Sequence, residues 1–131
     1  MKNILLDTSA WVEYFKGNPT VAAMVNDREA HFVYIIGPAI TELIQGMKTE
    51  KAKEIFAASL ESLPRLKITD QDWFDAGTFG AQLRSKGVTV PLADLIIYTV
   101  AMNNHCSICT LDKHFNIINT ALGSKVKIIG T

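Results

Sequence analysis

Four acidic side chains stand where they could act together on a substrate. They are embedded in or next to apolar segments rather than charged ones: Asp7, Glu42, Asp94 and Asp112. Carboxylate oxygens are hard ligands of the kind that Mg²⁺ or Mn²⁺ prefers. Such an ion lowers the pKa of a bound water and neutralises charge on a phosphodiester. If the fold gathers these side chains, the chemistry they could support is metal-assisted hydrolysis of phosphate esters.

The positions of three of these acids predict where they lie in a fold. Asp7 and Asp112 each follow a short apolar run typical of a buried strand. In an open α/β sheet, ligands bind beyond the carboxyl ends of the strands. Asp94 lies about one turn inside an apolar helix, where a charge without a partner costs several kcal/mol or more. We therefore expect a compensating group close to Asp94.

Each acid also has an ordinary structural explanation. Asp7 and Asp112 could cap the helices that follow them, because Asp is a favoured N-cap residue. Glu42 and Asp94 fall early in their helices, where the helix dipole favours an acid. Four carboxylates at one sheet edge would nevertheless repel one another unless a cation lay among them. It is the combination that indicates a metal site.

Short apolar runs alternate with helical segments along the chain. Strands are predicted at Asn3–Leu6, His31–Ile36, Leu66–Ile68, Ser107–Thr110 and Lys125–Ile129. Helices are predicted at Ala10–Lys16 with Ser9 as cap, after Asn18-Pro19, and at Ala39–Met47. Further helices are predicted at Glu50–Leu63 with Thr49 as cap, at Gln71–Lys86 after Thr69 and Asp70, at Leu92–Asn104, and from Asp112. This alternation predicts an α/β fold with right-handed crossovers and a mainly parallel sheet covered on both faces.

Length and composition exclude several classes of protein. The 131 residues show no repeat or linker, so we expect a single domain over residues 1–131. No apolar run approaches the roughly 18–20 residues of a membrane helix, and the run in MKNILLD ends too early for a signal peptide, so we expect a cytoplasmic protein. Thirteen basic and thirteen acidic residues argue against a general nucleic-acid coat protein, but leave room for a local basic strip.

Three further sequence features could suggest a functional site but also have a structural explanation. Cys106 and Cys109 would point to opposite faces of a strand, so they are predicted to be buried thiols rather than zinc ligands. The segment SKGVTVP lacks the spacing of a phosphate loop and is predicted to end a helix. Three aromatic residues fall on adjoining positions of the first helix: Trp11, Tyr14 and Phe15. They are predicted either to pack in the core or to form a surface for a partner.

Four segments together resemble the PIN-domain family, and specifically its VapC-type toxin ribonucleases: LLDTSAWVEYF, GPAITELIQGM, GVTVPLADLIIYTVA and TLDKHF. The resemblance covers essentially the whole chain. It implies a three-layer α/β/α sandwich with a mainly parallel sheet of four to five strands. It also implies a Mg²⁺- or Mn²⁺-dependent endoribonuclease, a homodimer, and a cognate antitoxin of a type II toxin-antitoxin pair.

The resemblance also assigns residues by position. Asp7, Glu42, Asp94 and Asp112 match the family's acidic quartet of metal-binding, catalytic residues. Thr8 or Ser9 matches the polar residue after the first acid, and Thr110 matches the hydroxyl before the last one.

One position departs from the family pattern. Many relatives carry a further acid where this chain has His114. The substitution predicts a single ion completed by substrate phosphate, and His114 is expected to be a partly exposed residue without a catalytic role, or else a contact to RNA.

No Ser-His or Cys-His arrangement is evident, so an activated water is the expected nucleophile rather than a side chain. Two alternatives remain. A degenerate PIN-like module could keep the fold and only bind a partner, a hypothesis that His114 favours. A haloacid-dehalogenase-like phosphatase could use Asp7 as nucleophile, but such sites have a second aspartate where this chain has Ser9.

Overall fold

The computed structural model describes residues 1–130. Its strands are β1 (Lys2–Leu6), β2 (His31–Ile36), β3 (Arg65–Leu66), β4 (Ser107–Thr110) and β5 (Ile128–Gly130). Its helices are α1 (Thr8–Phe15), α2 (Pro19–Asn26), α3 (Gly37–Gln45), α4 (Glu50–Leu60), α5 (Asp70–Ser85), α6 (Leu92–Asn103) and α7 (His114–Ala121). Among residues 1–130, none of these helices is long and apolar enough to span a membrane.

The five strands form one parallel sheet in the order β3-β2-β1-β4-β5. The chain leaves β1 toward β2 on one side and returns to β4 on the other, so the strand order reverses between β1 and β4. Helix α1 packs on α2 and α3, whereas α6 packs on α5 and α7. Right-handed crossovers place these two groups on opposite faces of the sheet. The predicted α/β/α sandwich with a parallel sheet is confirmed.

The central strands are buried on both faces, as the apolar runs predict. Ile4, Leu5 and Leu6 of β1 have no exposed surface, and Ile108 and Cys109 of β4 are equally buried. Strands without a solvent face are typical of parallel sheets that carry helices on both sides. This burial fixes where the chain emerges at the carboxyl ends of β1 and β4.

Several helix boundaries follow their predicted capping residues. Asn18 accepts hydrogen bonds from the backbone of Thr20 and Val21 at the start of α2. Thr49 caps α4, and Thr69 forms a capping box with α5. These side chains satisfy backbone N–H groups that otherwise lack partners in a first helical turn.

Other boundaries were predicted wrongly. Asp7, not Ser9, is the N-cap of α1. Helix α7 begins at His114 rather than at Asp112, and α4 ends at Leu60 instead of Leu63. The edge strands β3 and β5 are also displaced from the predicted Leu66–Ile68 and Lys125–Ile129. Edge strands pair on one side only, so their apolar pattern is weaker evidence for their ends.

The aromatic and cysteine residues are divided between core and surface. Trp11 is fully buried, whereas Phe15 on the same helix is 41% exposed and packs edge-on against Phe56 of α4. Cys106 and Cys109 are free and buried, as predicted, although Cys106 lies just before β4. Burial raises the pKa of the Cys109 thiol to about 11, with a smaller contribution from the nearby Asp7 carboxylate. Such a thiol is protonated and unreactive at neutral pH.

Candidate metal centre

Two of the predicted acids lie where the strand order reverses. Asp7 follows β1 directly, and Asp112 comes two residues after the end of β4. The two strands are paired through Leu6 and Cys109, and the backbone N–H of Asp7 donates to the Cys109 carbonyl at 3.2 Å. The crevice at such a reversal is where open α/β sheets bind their ligands.

Asp7 is held rigidly at this point. Only 4% of the residue is exposed. Its Oδ1 accepts from Ser9 Oγ at 2.7 Å and from the Ala10 N–H at 3.0 Å, and its Oδ2 accepts from Thr110 Oγ1 at 2.7 Å. Burial raises the pKa of Asp7, while the hydrogen bond from Thr110 partly opposes that effect. Asp7 thus caps α1 and also directs a carboxylate to the strand ends.

The two hydroxyl groups next to Asp7 also fix the loop after β4. Thr110 Oγ1 accepts from the Asp112 N–H at 2.8 Å, and Ser9 Oγ accepts from the Leu111 N–H at 3.0 Å. Each hydroxyl donates its single proton to Asp7 and accepts from this loop. The network therefore ties the backbone position of Asp112 to the Asp7 carboxylate.

Asp94 approaches the same point from the start of α6. Pro91 precedes this helix and gives it no side-chain cap. The Asp94 side chain is only 14% exposed. Burial raises the pKa of Asp94 to about 6, repulsion from Asp112 adds to the effect, and the hydrogen bond with His114 opposes it. The compensating group that the sequence requires beside Asp94 is therefore His114.

His114 contacts two of the acids. Its Nδ1 lies 2.9 Å from Asp94 Oδ2 and 3.1 Å from Asp112 Oδ1, while its side chain remains 42% exposed. Asp112 Oδ1 also accepts the His114 backbone N–H at 2.9 Å. The partial exposure agrees with the sequence-based expectation, but these contacts were missed. The signal available was the position of His114, two residues after Asp112 in TLDKHF.

Glu42 lies outside this cluster. It is exposed on α3, and its Oε1 accepts from Thr8 Oγ1 at 2.8 Å. Thr8 and Ser9 thus differ, since Thr8 bonds Glu42 whereas Ser9 bonds Asp7. Thr8 directly follows Asp7 in the sequence, so this contact holds Glu42 beside the start of α1, against which α3 packs.

A sequence model of the family described as "PIN domain" matches residues 4–120 of the chain. The chain belongs to the PIN-domain family. Within it, the chain is similar to VapC ribonuclease Mb1587 of Mycobacterium bovis and to Ribonuclease VapC11 of Mycobacterium tuberculosis. Each is 29% identical over 121 residues, which is 88% of this chain and 90% of the relative.

Solved structures share the PIN-domain fold of this chain. The VapBC2 structure from Rickettsia felis, bound to a promoter DNA fragment, superposes with a TM-score of 0.80 at 17% identity, over 98% of both chains. The DNA-bound VapBC from Salmonella typhimurium gives a TM-score of 0.78 at 23% identity, over 99% of this chain and 98% of that one. At these identities the comparison establishes the fold.

PIN-domain nucleases generally use a divalent metal, and the residues present fit one. Asp94, Asp112 and His114 offer ligand atoms that all lie within 4.8 Å of one another. Asp7 is near enough that its charge raises the pKa of Asp94. Within residues 1–130, no lysine or arginine forms an ion pair with any of these acids. Carboxylates gathered without a lysine or arginine partner favour binding of a cation.

Proposed function

We propose that this chain is a Mg²⁺- or Mn²⁺-dependent endoribonuclease that acts as the toxin of a toxin-antitoxin pair in the cytoplasm. One observation carries the proposal: Asp7, Asp94 and Asp112 converge at the strand-order reversal of a PIN domain, and among residues 1–130 only His114 forms an ion pair with any of them. The names of the relatives, which are VapC ribonucleases, support the nuclease activity. The toxin-antitoxin setting is supported by solved structures of similar fold, among them a complex from Klebsiella pneumoniae described as a toxin-antitoxin complex.

In this proposal Asp7, Asp94 and Asp112 hold the ion, and Glu42 completes the acidic quartet from α3. When bound, the ion would supply Lewis-acid activation of water and charge neutralisation at the scissile phosphodiester. Thr110 and Ser9 orient Asp7 through their hydroxyl groups. Their role is positioning, because each donates its single hydroxyl proton to that carboxylate.

The side chains do not favour a nucleophile from the protein. Among the hydrogen bonds of residues 1–130, none joins a Ser, Thr or Cys side chain to a histidine that could act as its base. Ser9 occupies the place of the second aspartate of a phosphatase, so Asp7 lacks the neighbouring acid that such a nucleophile has. An activated water remains the nucleophile that this site supports best.

RNA cleavage with and without EDTA tests this function directly. We expect cleavage of structured RNA by the wild type in Mn²⁺, its loss in EDTA, and its loss in Asp7→Asn. Asp70→Asn is the matched control, because Asp70 is an exposed acid in the first turn of α5 and contacts none of the site residues. Metal-independent cleavage, or equal activity of Asp7→Asn and the control, would refute the proposal. A wild type that binds metal without cleaving any RNA would favour the non-catalytic binding module.

An antitoxin protein is the proposed partner of this site. Structural neighbours named VapBC are toxin-antitoxin complexes. Because Asp7, Asp94 and Asp112 lack a lysine or arginine partner within residues 1–130, a basic side chain from the antitoxin could neutralise them and block RNA entry. RNA cleavage that continues unchanged when such a partner is bound at this edge would contradict this mechanism of inhibition.

We also propose a homodimer formed through one apolar face of α5 and α6. Trp73 and Leu92 are 51% and 68% exposed. Both line a groove of about 460 Å³ that Gly77 and Gly80 also line. A two-fold dimer requires one patch that complements itself, and this face carries both protruding apolar side chains and a groove that can receive them.

Light scattering tests this interface. We expect Trp73→Glu to convert the dimer to a monomer. Ile55→Glu is the control, because Ile55 is 59% exposed on α4, outside the groove. Equal masses for the two variants would contradict the assignment of this face.

A further inference from the structure

The ring of His114 occupies the space between two carboxylates that belong to different parts of the chain. Asp94 comes from α6, and Asp112 comes from the loop after β4. Both direct an oxygen at the same nitrogen, Nδ1. An ionised carboxylate accepts hydrogen bonds but donates none, so only the Nδ1 proton can bridge the three atoms. A divalent ion could take the place of that single shared proton.

The distances suit such an exchange. An octahedral ion with bonds of about 2.1 Å holds neighbouring ligand atoms about 3.0 Å apart. The Nδ1 atom lies 2.9 Å from Asp94 Oδ2 and 3.1 Å from Asp112 Oδ1. Nδ1 and the two carboxylate oxygens form a triangle. Two sides of this triangle already have the length that one face of an octahedron requires.

The kind of ligand bears on the choice of ion. Carboxylate, carbonyl and water oxygens suit Mg²⁺, whereas an imidazole nitrogen is a softer ligand suited to transition metals. Mn²⁺ accepts both oxygen and nitrogen ligands more readily than Mg²⁺ does. A site with two carboxylates and one imidazole therefore differs from one built of carboxylates alone.

We propose that His114 is a metal ligand through Nδ1 and that it biases this centre toward Mn²⁺ over Mg²⁺. This rests on the proposed function, because it concerns the same acidic site. His114 then joins Asp7, Asp94 and Asp112 around the ion, and its ligand atom already lies within 4.8 Å of those of Asp94 and Asp112.

Binding of each ion alone, measured by calorimetry, tests the selectivity. We expect His114→Asp to lower the ratio of Mn²⁺ to Mg²⁺ affinity by about tenfold or more, since even a group that only hydrogen-bonds a metal ligand is worth about 10- to 100-fold in affinity. His105→Asn is the control: His105 is exposed, and its positive φ of 55° is one that Asn also tolerates. Circular dichroism confirms that each variant is folded.

Electron spin-echo spectroscopy of bound Mn²⁺ gives a direct structural test, with protein labelled with ¹⁵N only at histidine. A histidine nitrogen coupling in the wild type and in His105→Asn that disappears in His114→Asp would establish the ligand. A wild type without that coupling would overturn the proposal, as would an unchanged affinity ratio in His114→Asp. If His114→Ala raises the affinity for both ions equally, His114 acts as a competing positive charge and the proposal is also wrong.

The Asp94→Asn variant separates this proposal from the broader one. Loss of Mn²⁺ binding in that variant, together with an unchanged ratio in His114→Asp, would keep the acidic metal site and reject the role of His114. Unaltered binding in Asp94→Asn would reject the metal site itself, and with it any ligand role for His114.

Discussion

Asp94→Asn is expected to stabilise the metal-free protein at pH 8 while abolishing its metal binding. Without an ion, an ionised Asp94 is buried beside Asp112 and close to Asp7. These surroundings raise its pKa from 3.8 to about 6, which corresponds to about 3 kcal/mol of unfavourable free energy for the charged form. Asn has the same shape, carries no charge, and its Oδ1 can still accept a hydrogen bond from His114.

The sign of the pH dependence follows from the direction of that shift. A carboxyl whose pKa is raised by folding stabilises the folded state fully below its ordinary pKa, here 3.8, and that contribution is lost as the pH rises through about 6. The advantage of Asp94→Asn over the wild type should therefore be about 1 kcal/mol near pH 4.5 and reach up to about 3 kcal/mol at pH 8.

Urea unfolding in EDTA at the two pH values measures this difference, with Asp70→Asn as the control for removing one exposed negative charge. Adding Mn²⁺ should then stabilise the wild type and the control but not Asp94→Asn, because an ion that binds only the folded state raises the free energy of unfolding. If Asp94→Asn is less stable than the wild type at pH 8 in EDTA, ionised Asp94 supports the fold and the argument from crowded carboxylates is wrong.

Two other predictions test the surroundings of the site. Thr110→Val removes the hydroxyl that bridges Asp7 and the Asp112 N–H. We therefore expect a loss of about 1.5–3 kcal/mol in the free energy of unfolding, together with weaker Mn²⁺ binding. Thr120 is exposed, so Thr120→Val should change neither quantity. Urea unfolding and calorimetry check this, and an unperturbed Thr110→Val would show that Asp7 needs no such support. Both thiols are buried and burial raises the pKa of each, so native protein at pH 8 should resist alkylation of Cys106 and Cys109 that proceeds readily in urea. Rapid native labelling, quantified by mass spectrometry, would contradict that environment.

The parts of the site that lie on the central strands were predictable from sequence. Asp7 and Asp112 end apolar runs, and parallel strands bring such ends to one edge whatever the details of the helices. Asp94 was predicted to need a partner because its neighbours are apolar, and burial of its side chain agrees with that argument.

The identity of that partner could not be predicted in the same way. His114 lies 20 residues from Asp94, and their contact depends on how α6 packs on α7. Helix packing is decided by side chains on both elements, so no local pattern encodes it. The cap of α1 was misassigned for a related reason. Asp7 and Ser9 are both good capping residues, and the Thr110 hydroxyl that fixes Asp7 belongs to a strand that is far away in the sequence.

Titration of Mn²⁺ into the wild type, Asp94→Asn and Asp70→Asn by calorimetry tests the central claim most directly, because it needs no knowledge of the RNA. We expect saturable binding to the wild type and to Asp70→Asn, and binding that is lost or strongly weakened in Asp94→Asn. Equal binding by all three proteins would contradict the claim that these carboxylates form one metal centre.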